Sequence, residues 1–321
     1  MTSKRGLVIG AGSAGIRHAR VVQTLIPSAD HIHVSSRDFE SWWQELRSDK
    51  EGEYLGIDFA IVASPAPMHL NQAVALADEA IPMLIEKPVT ADLEEAKLLE
   101  KHLSQLSLTT QIGYVLRYTP GFQFFRETVS RLGITNVSRI HITSHSFLPD
   151  WRKDTPYKES VSAKPELGGG VLLELSHELD YATAIFGHID IVSAEVSKSP
   201  GLEIDVESVA IIEAKLSNDA PVTISLDMGN RNLERFCEVS WIDGTKVRWN
   251  IIEGTVSQTG ADGEVAETES LPSHRDNWYG KQLEYFLSVV DHLNQPVPSV
   301  KDAVRTMELI NTVWKHAGGK K

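Results

Sequence analysis

The stretch GAGSAG, residues 10–15, limits the fold more than any other feature of this sequence, because it joins an apolar run to a helix-like run near the start of the chain. The first glycine permits a tight turn, the second lets the backbone approach a pyrophosphate, and the third lets the helix pack closely on the strand. An ordinary glycine turn is the alternative, but the position between a strand and a helix favours a dinucleotide site whose phosphates face the helix N-terminus. The predicted contacts are Gly10, Gly12, Ser13, Ala14 and Gly15.

The first part of the chain alternates short apolar runs with helix-like segments, which is typical of a parallel sheet with helices on both faces. The predicted strands are residues 6–10, 31–35, 58–64 and 82–87. The predicted helices are residues 14–26, 68–80 and 92–106. This pattern predicts an α/β, doubly wound Rossmann domain over residues 1–118.

Strand-like alternation dominates the second half of the chain. In residues 237–250, CEVSWIDGTKVRWN, two alternating runs flank an Asp-Gly turn, which indicates a hairpin. Helical patterns occupy residues 171–186 and 278–294. We therefore predict a C-terminal α+β domain over residues 119–321, with a large, mostly antiparallel open sheet and a last helix able to pack back on the first domain. Because a broad apolar sheet face is costly to leave in water, we expect a homodimer or homotetramer joined through this sheet.

The charge balance and the cysteine content exclude several kinds of partner. The chain has 44 acidic and 31 basic residues, a net charge of −13, so it should repel nucleic acid and anionic membranes. Cys237 is the only cysteine, which excludes an internal disulfide or a cysteine-built zinc site and fits a reducing cytosol. No apolar run approaches the roughly 20 residues of a membrane span, and no cleavable apolar segment precedes the glycine loop. We expect a cytoplasmic protein.

The residues after the second predicted strand bear on the choice of cofactor. Where an acidic side chain would hold the ribose hydroxyls of NAD, the chain reads Ser35-Ser36-Arg37-Asp38. Two hydroxyls and a planar guanidinium suit a 2′-phosphate, so NADP is favoured over NAD. Asp38 is an acidic side chain close to this position, so NAD stays an alternative cofactor. Arg37 is either a phosphate contact or a solvated side chain.

The fourth predicted strand ends in LIEKPVT, residues 84–90. Ligands bind at the carboxyl ends of strands in an open α/β sheet. Lys87 therefore either takes part in a reaction or is only a solvated residue at the end of the strand. As a chemical group, Lys87 could hydrogen-bond a reacting oxygen and stabilise negative charge on it. Glu86 is expected to orient the lysine or cap a neighbour, and Pro88 to shape the turn, with a cis bond as one means.

Four motifs, in order over nearly the whole chain, carry a family resemblance: GAGSAGIRHAR, DFAIVASPAPMH, EKP and GGGVLLELSHELD. They resemble successive signatures of the Gfo/Idh/MocA oxidoreductases. The resemblance implies a Rossmann domain, a C-terminal domain with a large open sheet, and a nicotinamide that exchanges hydride with a carbon of a sugar, cyclitol or similar polyol. It also implies that Lys87 lies in the active site and that His177 is the acid/base. Further cofactor contacts are expected at Ser64, Pro65, His69, Glu86 and Lys87.

The segment 171–186 carries the groups expected to move a proton. Oxidation of a secondary alcohol needs a base for the hydroxyl proton, and the reverse reaction needs an acid. Glu174, His177 and Asp180 recur at i, i+3 and i+6, so neighbouring pairs would lie close on one helix face and could fix the histidine tautomer. The family commonly has an aspartate four residues before the histidine, in a DxGxH arrangement, so either Glu174 replaces it or Asp180 takes its role. A carboxylate-bridged metal site needs a second ExxH on another helix, so no metal is expected.

Substrate contacts are expected at four further side chains. Trp151 and Arg152 could bind an acidic or phosphorylated sugar, or belong to a solvated loop. Arg117 and Tyr279 are further pocket candidates.

These features predict an NAD(P)-dependent oxidoreductase acting on a CH–OH group of a sugar, cyclitol or sugar derivative, with Lys87 and His177 as the chemical pair. Resemblance alone suggests a place in glycan-sugar biosynthesis. Two other functions stay open: a non-catalytic nicotinamide-sensing or scaffold protein, and an enzyme that uses tightly bound NAD(H) for transient oxidation in elimination or exchange. His18 and His69 could lie near the cofactor or serve only as surface or packing histidines.

Overall fold

The computed structural model describes residues 4–28, 30–48, 56–152, 155–292 and 296–319. The chain divides into two compact units. The first comprises Met1–Val115 and Arg275–Met307, and the second comprises Leu116–His274 and Glu308–Lys321. The domain limits predicted from the sequence stay a prediction.

The helices of the described residues are α1 (Ser13–Leu25), α2 (Phe39–Ser48), α3 (His69–Asp78), α4 (Leu93–Ser104), α5 (Pro120–Leu132), α6 (Val171–Glu174), α7 (Ser176–Phe186), α8 (Arg275–His292) and α9 (Val300–His316). Short 3-10 turns lie at Ala66–Met68, Val115–Tyr118, Leu148–Asp150, Tyr157–Glu159, Val161–Ala163 and Pro165–Leu167. None of the helices in these ranges combines the length and hydropathy that a bilayer-spanning helix needs.

The strands are β1 (Arg5–Ile9), β2 (Asp30–Val34), β3 (Phe59–Val62), β4 (Met83–Ile85), β5 (Thr110–Ile112), β6 (Val137–Phe147), β7 (Ile189–Ser197), β8 (Val209–Leu216), β9 (Pro221–Asp227), β10 (Gly229–Trp241), β11 (Lys246–Asn250), β12 (Thr255–Thr259) and β13 (Val265–Ser270). The four strands predicted in the first part of the chain therefore exist, each within one or two residues of its predicted ends.

The first five strands form one parallel sheet in the first unit, in the order β2-β1-β3-β4-β5. β3 and β4 are buried along their whole length, as expected for strands covered by helices on both faces. β1 lies between β2 and β3, so the strand order reverses there, and the carboxyl ends of β1 and β3 form the switch point at which such sheets bind ligands. The predicted Rossmann-type sheet is confirmed.

Helix α8 belongs to the first unit although it lies near the C-terminal end of the chain. Phe286 of α8 packs edge-on against Phe59 of β3, with ring centroids 6.3 Å apart. Tyr279 and Leu283 lie in the same buried apolar cluster as Val8 of β1. The core of the first sheet is therefore completed by a segment far away in sequence.

The remaining eight strands form an open sheet in the second unit, in the order β13-β12-β11-β10-β6-β9-β8-β7. Its neighbouring strands are antiparallel except β6 and β9, which are parallel. The predicted hairpin is confirmed, because Cys237 faces Trp249 and Val239 faces Val247 across β10 and β11, and all four are buried. The predicted α+β architecture of this half is confirmed with it.

The inner face of this sheet packs on α5 and α7. The buried ring of Trp249 lies 5.9 Å from the rings of both Phe122 and Phe125 of α5. It also lies 5.4 Å from the ring of Tyr181 of α7. Large aromatic side chains in contact contribute much of the burial that stabilises a core, so α7 is anchored on the sheet.

The apolar face of the sheet is the inner one, which the helices cover, and the opposite face is mostly polar, so the described strands leave no broad apolar face for a partner subunit. On β9 the buried residues are apolar, whereas Thr223, Ser225 and Asp227 alternate with them and are half-buried. Their partners across β6, His141 and His145, lie on the same face. Because side chains alternate along a strand, the apolar half of each strand has gone to the inner face. The oligomer itself stays a prediction.

The single helix predicted over residues 171–186 is wrong, because it is interrupted at Leu175 between α6 and α7. The Glu178 N–H donates to the Leu175 carbonyl, three residues back, at 3.3 Å. The backbone therefore tightens to a 3-10-like turn at this point. Glu174 and His177 lie on different helices, so their spacing in sequence does not by itself place them on one face.

Helices α2, α5 and α9 were not predicted, although α5 carries a clear start signal. The Thr119 hydroxyl accepts a hydrogen bond from the Phe122 N–H at 3.1 Å, and Pro120 occupies the first helical position. An N-cap threonine followed by proline is a common helix start. The alternation of apolar and polar residues in the second half of the chain favoured strands over this helix.

Candidate active site

The glycine loop between β1 and α1 has the close contacts that its sequence predicts. Gly10 has φ +122°, and a Cβ there would lie 2.3 Å from the Ala63 carbonyl oxygen. A Cβ on Gly15 would lie 1.8 Å from the Gly10 carbonyl oxygen. Gly12 differs, because a Cβ there would meet nothing within 4 Å. The fold itself needs Gly10 and Gly15, whereas Gly12 borders open space.

The N-terminus of α1 fits the pyrophosphate of a dinucleotide. It has no side-chain cap and no acidic residue in its first turn. Its first N–H groups and the positive end of its dipole are therefore available to an anion. Ser13 is exposed and Ala14 half-buried at this end.

The residues predicted to meet the cofactor ribose follow β2 directly. The Ser35 hydroxyl donates to the Asp38 carboxylate at 2.6 Å, and the Asp38 N–H donates to the Ser35 hydroxyl oxygen at 3.3 Å. Asp38 is thus engaged in a local turn, while Ser36 is half-buried and Arg37 is exposed. An exposed guanidinium beside two hydroxyls is suited to a phosphate.

His33 of β2 contacts the glycine loop, which the sequence did not predict. Its Nε2 lies 2.7 Å from the carbonyl oxygen of Gly10. Because a carbonyl oxygen only accepts, Nε2 carries the proton in this contact. The contact joins β2 to the first residue of the glycine loop, and no local pattern in HIHVS signals it.

The predicted contacts after β3 are held by buried hydrogen bonds. The Ser64 hydroxyl donates to the side-chain oxygen of Gln72, and Pro65 follows before the turn that leads into α3. His69, at the start of α3, is buried, with Nε2 2.8 Å from the Ser64 carbonyl oxygen. Its Nδ1 lies 3.1 Å and 3.2 Å from the carbonyl oxygens of Pro88 and Val89. His69 therefore ties the end of β3 to the segment after Lys87.

Burial lowers the pKa of His69 below its ordinary value. The contacts with the backbone carbonyls of Ser64, Val89 and Pro88 and the charge of Glu86 oppose that effect. Burial dominates because desolvation disfavours the charged imidazolium.

Glu86 and Lys87 follow β4 and differ in exposure. Glu86 is buried, with Oε1 2.7 Å from His18 Nε2, while Oε2 accepts the Lys87 N–H at 3.1 Å. Burial alone would raise the pKa of Glu86, but the His18 hydrogen bond and the charges of His18 and Lys87 hold it below its ordinary value. Lys87 is half-buried, and its peptide bond to Pro88 is cis. Whether Glu86 orients the lysine or caps a neighbour stays a prediction, and these contacts place its carboxylate on the Lys87 backbone.

His177 lies in the first turn of α7 and is half-buried. Asp180, one turn later, is buried and makes a bidentate pair with Arg117: Nε donates to Oδ2 at 2.8 Å and Nη2 donates to Oδ1 at 2.6 Å. The structure thus brings together two predicted site residues, one expected to orient His177 and the other expected to bind substrate. The charges of Arg117 and Asp180 compensate each other in this pair. Whether Asp180 orients His177 and whether Arg117 binds substrate stay predictions. Glu174 ends α6 and is half-buried.

A second buried ion pair holds α7, and sequence reasoning did not identify it. The Arg235 Nε of β10 donates to Glu178 Oε1 at 2.7 Å, and Glu178 is fully buried. Breaking a buried pair by removing one partner is costly, so such pairs restrain the elements that they join. His177 therefore lies on a helix fixed by Glu178 and Asp180, the residues one and three positions after it.

The remaining predicted substrate contacts are spread over both units. Trp151 is half-buried, and its Nε1 donates to the Ser146 hydroxyl at 3.0 Å. Arg152 Nη1 donates to the Ser162 hydroxyl at 3.4 Å. Tyr279 is a buried side chain of α8 in the first unit, where burial raises its pKa. Their substrate roles stay predictions.

Among the described side chains, no group of three or more His, Cys, Asp or Glu residues is arranged to hold a metal ion.

Two family models match the chain one after the other. The model described as "Oxidoreductase family, NAD-binding Rossmann fold" matches residues 4–114. The model described as "GFO/IDH/MocA C-terminal domain" matches residues 122–247.

Curated relatives are similar to this chain at low identity. An inositol 2-dehydrogenase of Rhizobium meliloti (strain 1021) is 20% identical over 336 residues, covering 100% of this chain and 98% of the relative. A scyllo-inositol 2-dehydrogenase (NAD(+)) of Bacillus subtilis (strain 168) is 26% identical over 130 residues, which is 37% of each chain.

Solved structures resemble the whole chain. Levoglucosan dehydrogenase in complex with NADH and levoglucosan gives a TM-score of 0.82 at 16% identity, covering 98% of this chain and 96% of that one. A 3-ketoreductase from Actinomadura kijaniata, in complex with TDP-benzene and NADP, gives a TM-score of 0.79 at 17% identity, covering 98% of each chain. At these identities the likeness shows the fold.

Proposed function

The chain belongs to the Gfo/Idh/MocA oxidoreductase family, and from that premise we propose that it transfers a hydride between a nicotinamide cofactor and a secondary alcohol or ketone of a sugar, cyclitol or sugar derivative. The observation that carries the proposal is the carboxyl edge of the first sheet. There the open glycine loop follows β1 and the buried Glu86 with the half-buried Lys87 follows β4. Relatives named for inositol and levoglucosan support the substrate class.

The cofactor is proposed to be NADP, with NAD as the alternative. The N–H groups of Ser13 and Ala14 at the start of α1 would hold the pyrophosphate. Ser36 and Arg37 would take the 2′-phosphate. When bound, the nicotinamide supplies or accepts the hydride. Relatives solved with NADH and with NADP support both cofactors for the family.

Lys87 is proposed to stabilise charge on the reacting oxygen. An ammonium held in place and shielded in part from water stabilises developing negative charge far better than a mobile, solvated one. Lys87 is half-buried, and the backbone on both sides of it is held by contacts to Glu86 and His69.

His177 is proposed to accept the hydroxyl proton in the oxidation and to return it in the reduction. An imidazole titrates near neutral pH, which suits a group that must gain and lose a proton in each cycle. Its helix is held by the Glu178–Arg235 and Asp180–Arg117 pairs, which fixes the backbone that carries the ring.

The test is a substrate screen with the purified protein. Scyllo-inositol, myo-inositol, levoglucosan and UDP-glucose are each incubated with NAD⁺ and with NADP⁺, and reduced nicotinamide is followed by absorbance. We expect at least one sugar or cyclitol to be oxidised. Oxidation of UDP-glucose alone would support the place in glycan-sugar biosynthesis.

The same screen separates the alternatives. A folded protein that binds NADPH but oxidises none of the panel, and reduces none of the corresponding ketones, would contradict the proposal in favour of a sensing protein. Nicotinamide that stays bound through purification would favour transient oxidation during elimination or exchange.

A further inference from the structure

His18 of α1 is buried beside the segment that carries Lys87. Its Nε2 lies 2.7 Å from Glu86 Oε1, and only 1% of the His18 surface is exposed. A carboxylate oxygen accepts, so His18 donates in this contact. The other oxygen of the same carboxylate accepts the backbone N–H of Lys87 at 3.1 Å. One buried carboxylate thus connects α1 to the backbone of Lys87.

Glu86 has little freedom to move. A Cβ added to Gly113, the residue after β5, would lie 3.0 Å from both the Cα and Oε2 of Glu86. The carboxylate is therefore enclosed between His18 and the backbone of Gly113. A group held from two sides keeps a defined rotamer, and so keeps its acceptor oxygens in place.

His18 is in turn held by α8. The Tyr279 ring packs edge-on against the His18 ring, with centroids 5.0 Å apart. Arg17 lies over the Tyr279 ring at 5.2 Å, and its Nε donates to Asp276 Oδ1 at 3.2 Å. All of these residues lie in the first unit. The chain of contacts therefore leads from α8, through α1 and Glu86, to Lys87.

We propose that His18 is a positioning residue for Lys87, acting through Glu86, with Tyr279 fixing the imidazole. This inference rests on the proposed role of Lys87 in the reaction. Glu86 can accept from His18 and from Lys87 at once only as a carboxylate with two acceptor oxygens. Loss of the His18 donor frees the carboxylate to turn, and the Lys87 backbone then loses its partner. A displacement of about 1 Å in a catalytic group can cost about 100-fold in rate.

The test compares three variants with a matched control. His18→Leu removes the donor and keeps an apolar side chain, whereas His18→Gln keeps an N–H donor at about the position of Nε2. Glu86→Gln leaves one acceptor oxygen in place of two. His102→Leu is the control, because it removes another histidine that contacts a carboxylate in the same unit. His102 of α4 lies 3.2 Å from the Asp78 carboxylate, and both side chains are partly exposed.

Three measurements are made on each protein. NADPH affinity is measured by fluorescence titration, and single-turnover oxidation is measured with the panel compound that reacts fastest. A crystal structure gives the position of the Lys87 backbone and ammonium, which needs no substrate.

We expect His18→Leu and Glu86→Gln to lower the single-turnover rate about tenfold or more, with NADPH affinity within about threefold of the parent. His18→Gln should recover to within about threefold of the parent rate, and His102→Leu should match the parent. In the crystal of His18→Leu, Lys87 should be displaced from its parent position.

Equal losses in His18→Leu and His18→Gln would overturn the inference, because they would indicate packing alone. An unmoved Lys87, or a parent-like rate in either His18→Leu or Glu86→Gln, would overturn it as well. If His18→Leu does not fold, a His18→Gln rate more than about threefold below the parent, or a parent-like rate in Glu86→Gln, overturns the inference. Parent-like turnover in Lys87→Met would instead contradict the proposed function, whatever the His18 variants do.

Discussion

The ammonium of Lys87 and the imidazole of His177 are the side chains on which the proposed reaction depends. We expect Lys87→Met to lower turnover about 10²–10³-fold and His177→Ala about 10²–10⁴-fold, with NADPH binding nearly intact. Rates are measured in single turnovers with the substrate found in the screen.

Two exposed residues provide controls for these variants. Lys97 of α4 lies 3.6 Å from Glu94, and His188 lies 2.8 Å from Asp190. Lys97→Met and His188→Ala should keep the parent rate. A Lys87→Met protein that turns over within a few-fold of the parent would show that the charged end of β4 is structural.

Arg37 is the side chain expected to decide the cofactor preference. Arg37→Ala should remove a charge-assisted contact with the 2′-phosphate, so NADPH should lose about 1.5–3 kcal/mol of binding and NADH almost none. Calorimetric titration with both cofactors measures this. Arg47→Ala removes an arginine that pairs with Glu79 at 3.0 Å and serves as the control. Equal or tighter NADH binding to the parent protein would refute the preference for NADP.

His69 should make stability depend on pH. Because burial lowers its pKa below the ordinary value of 6.5, the unfolded chain takes up a proton near that pH and the folded chain does not. This contribution to the free energy of unfolding is present above pH 6.5 and is lost as pH falls through the lower folded pKa. Between about pH 7.5 and about pH 5.5, the urea midpoint should fall more steeply for the parent than for His69→Gln. Equal slopes in parent and His69→Gln would contradict this assignment.

At the scale of elements, different glycines of the loop are expected to serve the fold and the cofactor. Gly15 lets α1 pack on β1, whereas Gly12 is expected to let the backbone approach the pyrophosphate. Gly15→Ala would place a Cβ 1.8 Å from the Gly10 carbonyl oxygen, so we expect a loss of about 1–3 kcal/mol of stability or more. Gly12→Ala meets no atom within 4 Å and keeps an ordinary φ of −79°. It should cost about 1 kcal/mol or less as a helix N-cap, yet weaken NADPH binding strongly.

Thermal unfolding and fluorescence titration of both variants measure these effects. If Gly12→Ala binds NADPH like the parent, the loop does not hold the pyrophosphate as proposed.

At the scale of the whole molecule, we propose a homodimer or homotetramer joined through the outer face of the second sheet. That face is mostly polar, so the attraction should come from charges and hydrogen bonds as well as burial. Exposed charge pairs are screened by salt, so the monomer fraction should rise between about 0.1 M and about 1 M NaCl.

Light scattering at micromolar concentration tests the assembly. Ile211, 36% exposed on β8, lies among the outward residues of the sheet, and Ile252, 49% exposed, lies in a turn. Ile211→Asp should dissociate the oligomer, and Ile252→Asp should not. A parent protein with only the monomer mass under these conditions would contradict the proposal.

The sequence by itself determined the features that depend on residues close together in the chain. Alternating apolar residues and the Asp243-Gly244 turn predicted the hairpin of β10 and β11, and the glycine loop predicted the strand–turn–helix that begins the fold. These patterns are local, because a strand repeats every two residues and a turn spans four.

Only the tertiary structure decided which polar side chains meet. Asp180, one of the two carboxylates proposed as a partner of His177, pairs with Arg117, 63 residues away, and Glu86 meets His18 across 68 residues. Tyr279, whose substrate role stays a prediction, packs on His18 although the two residues are far apart in sequence. The partner of a buried charge is chosen by how the chain folds back on itself, since a desolvated ion must find a counter-charge wherever the fold brings one. The local periodicity of apolar and polar residues does not predict which distant residues pair.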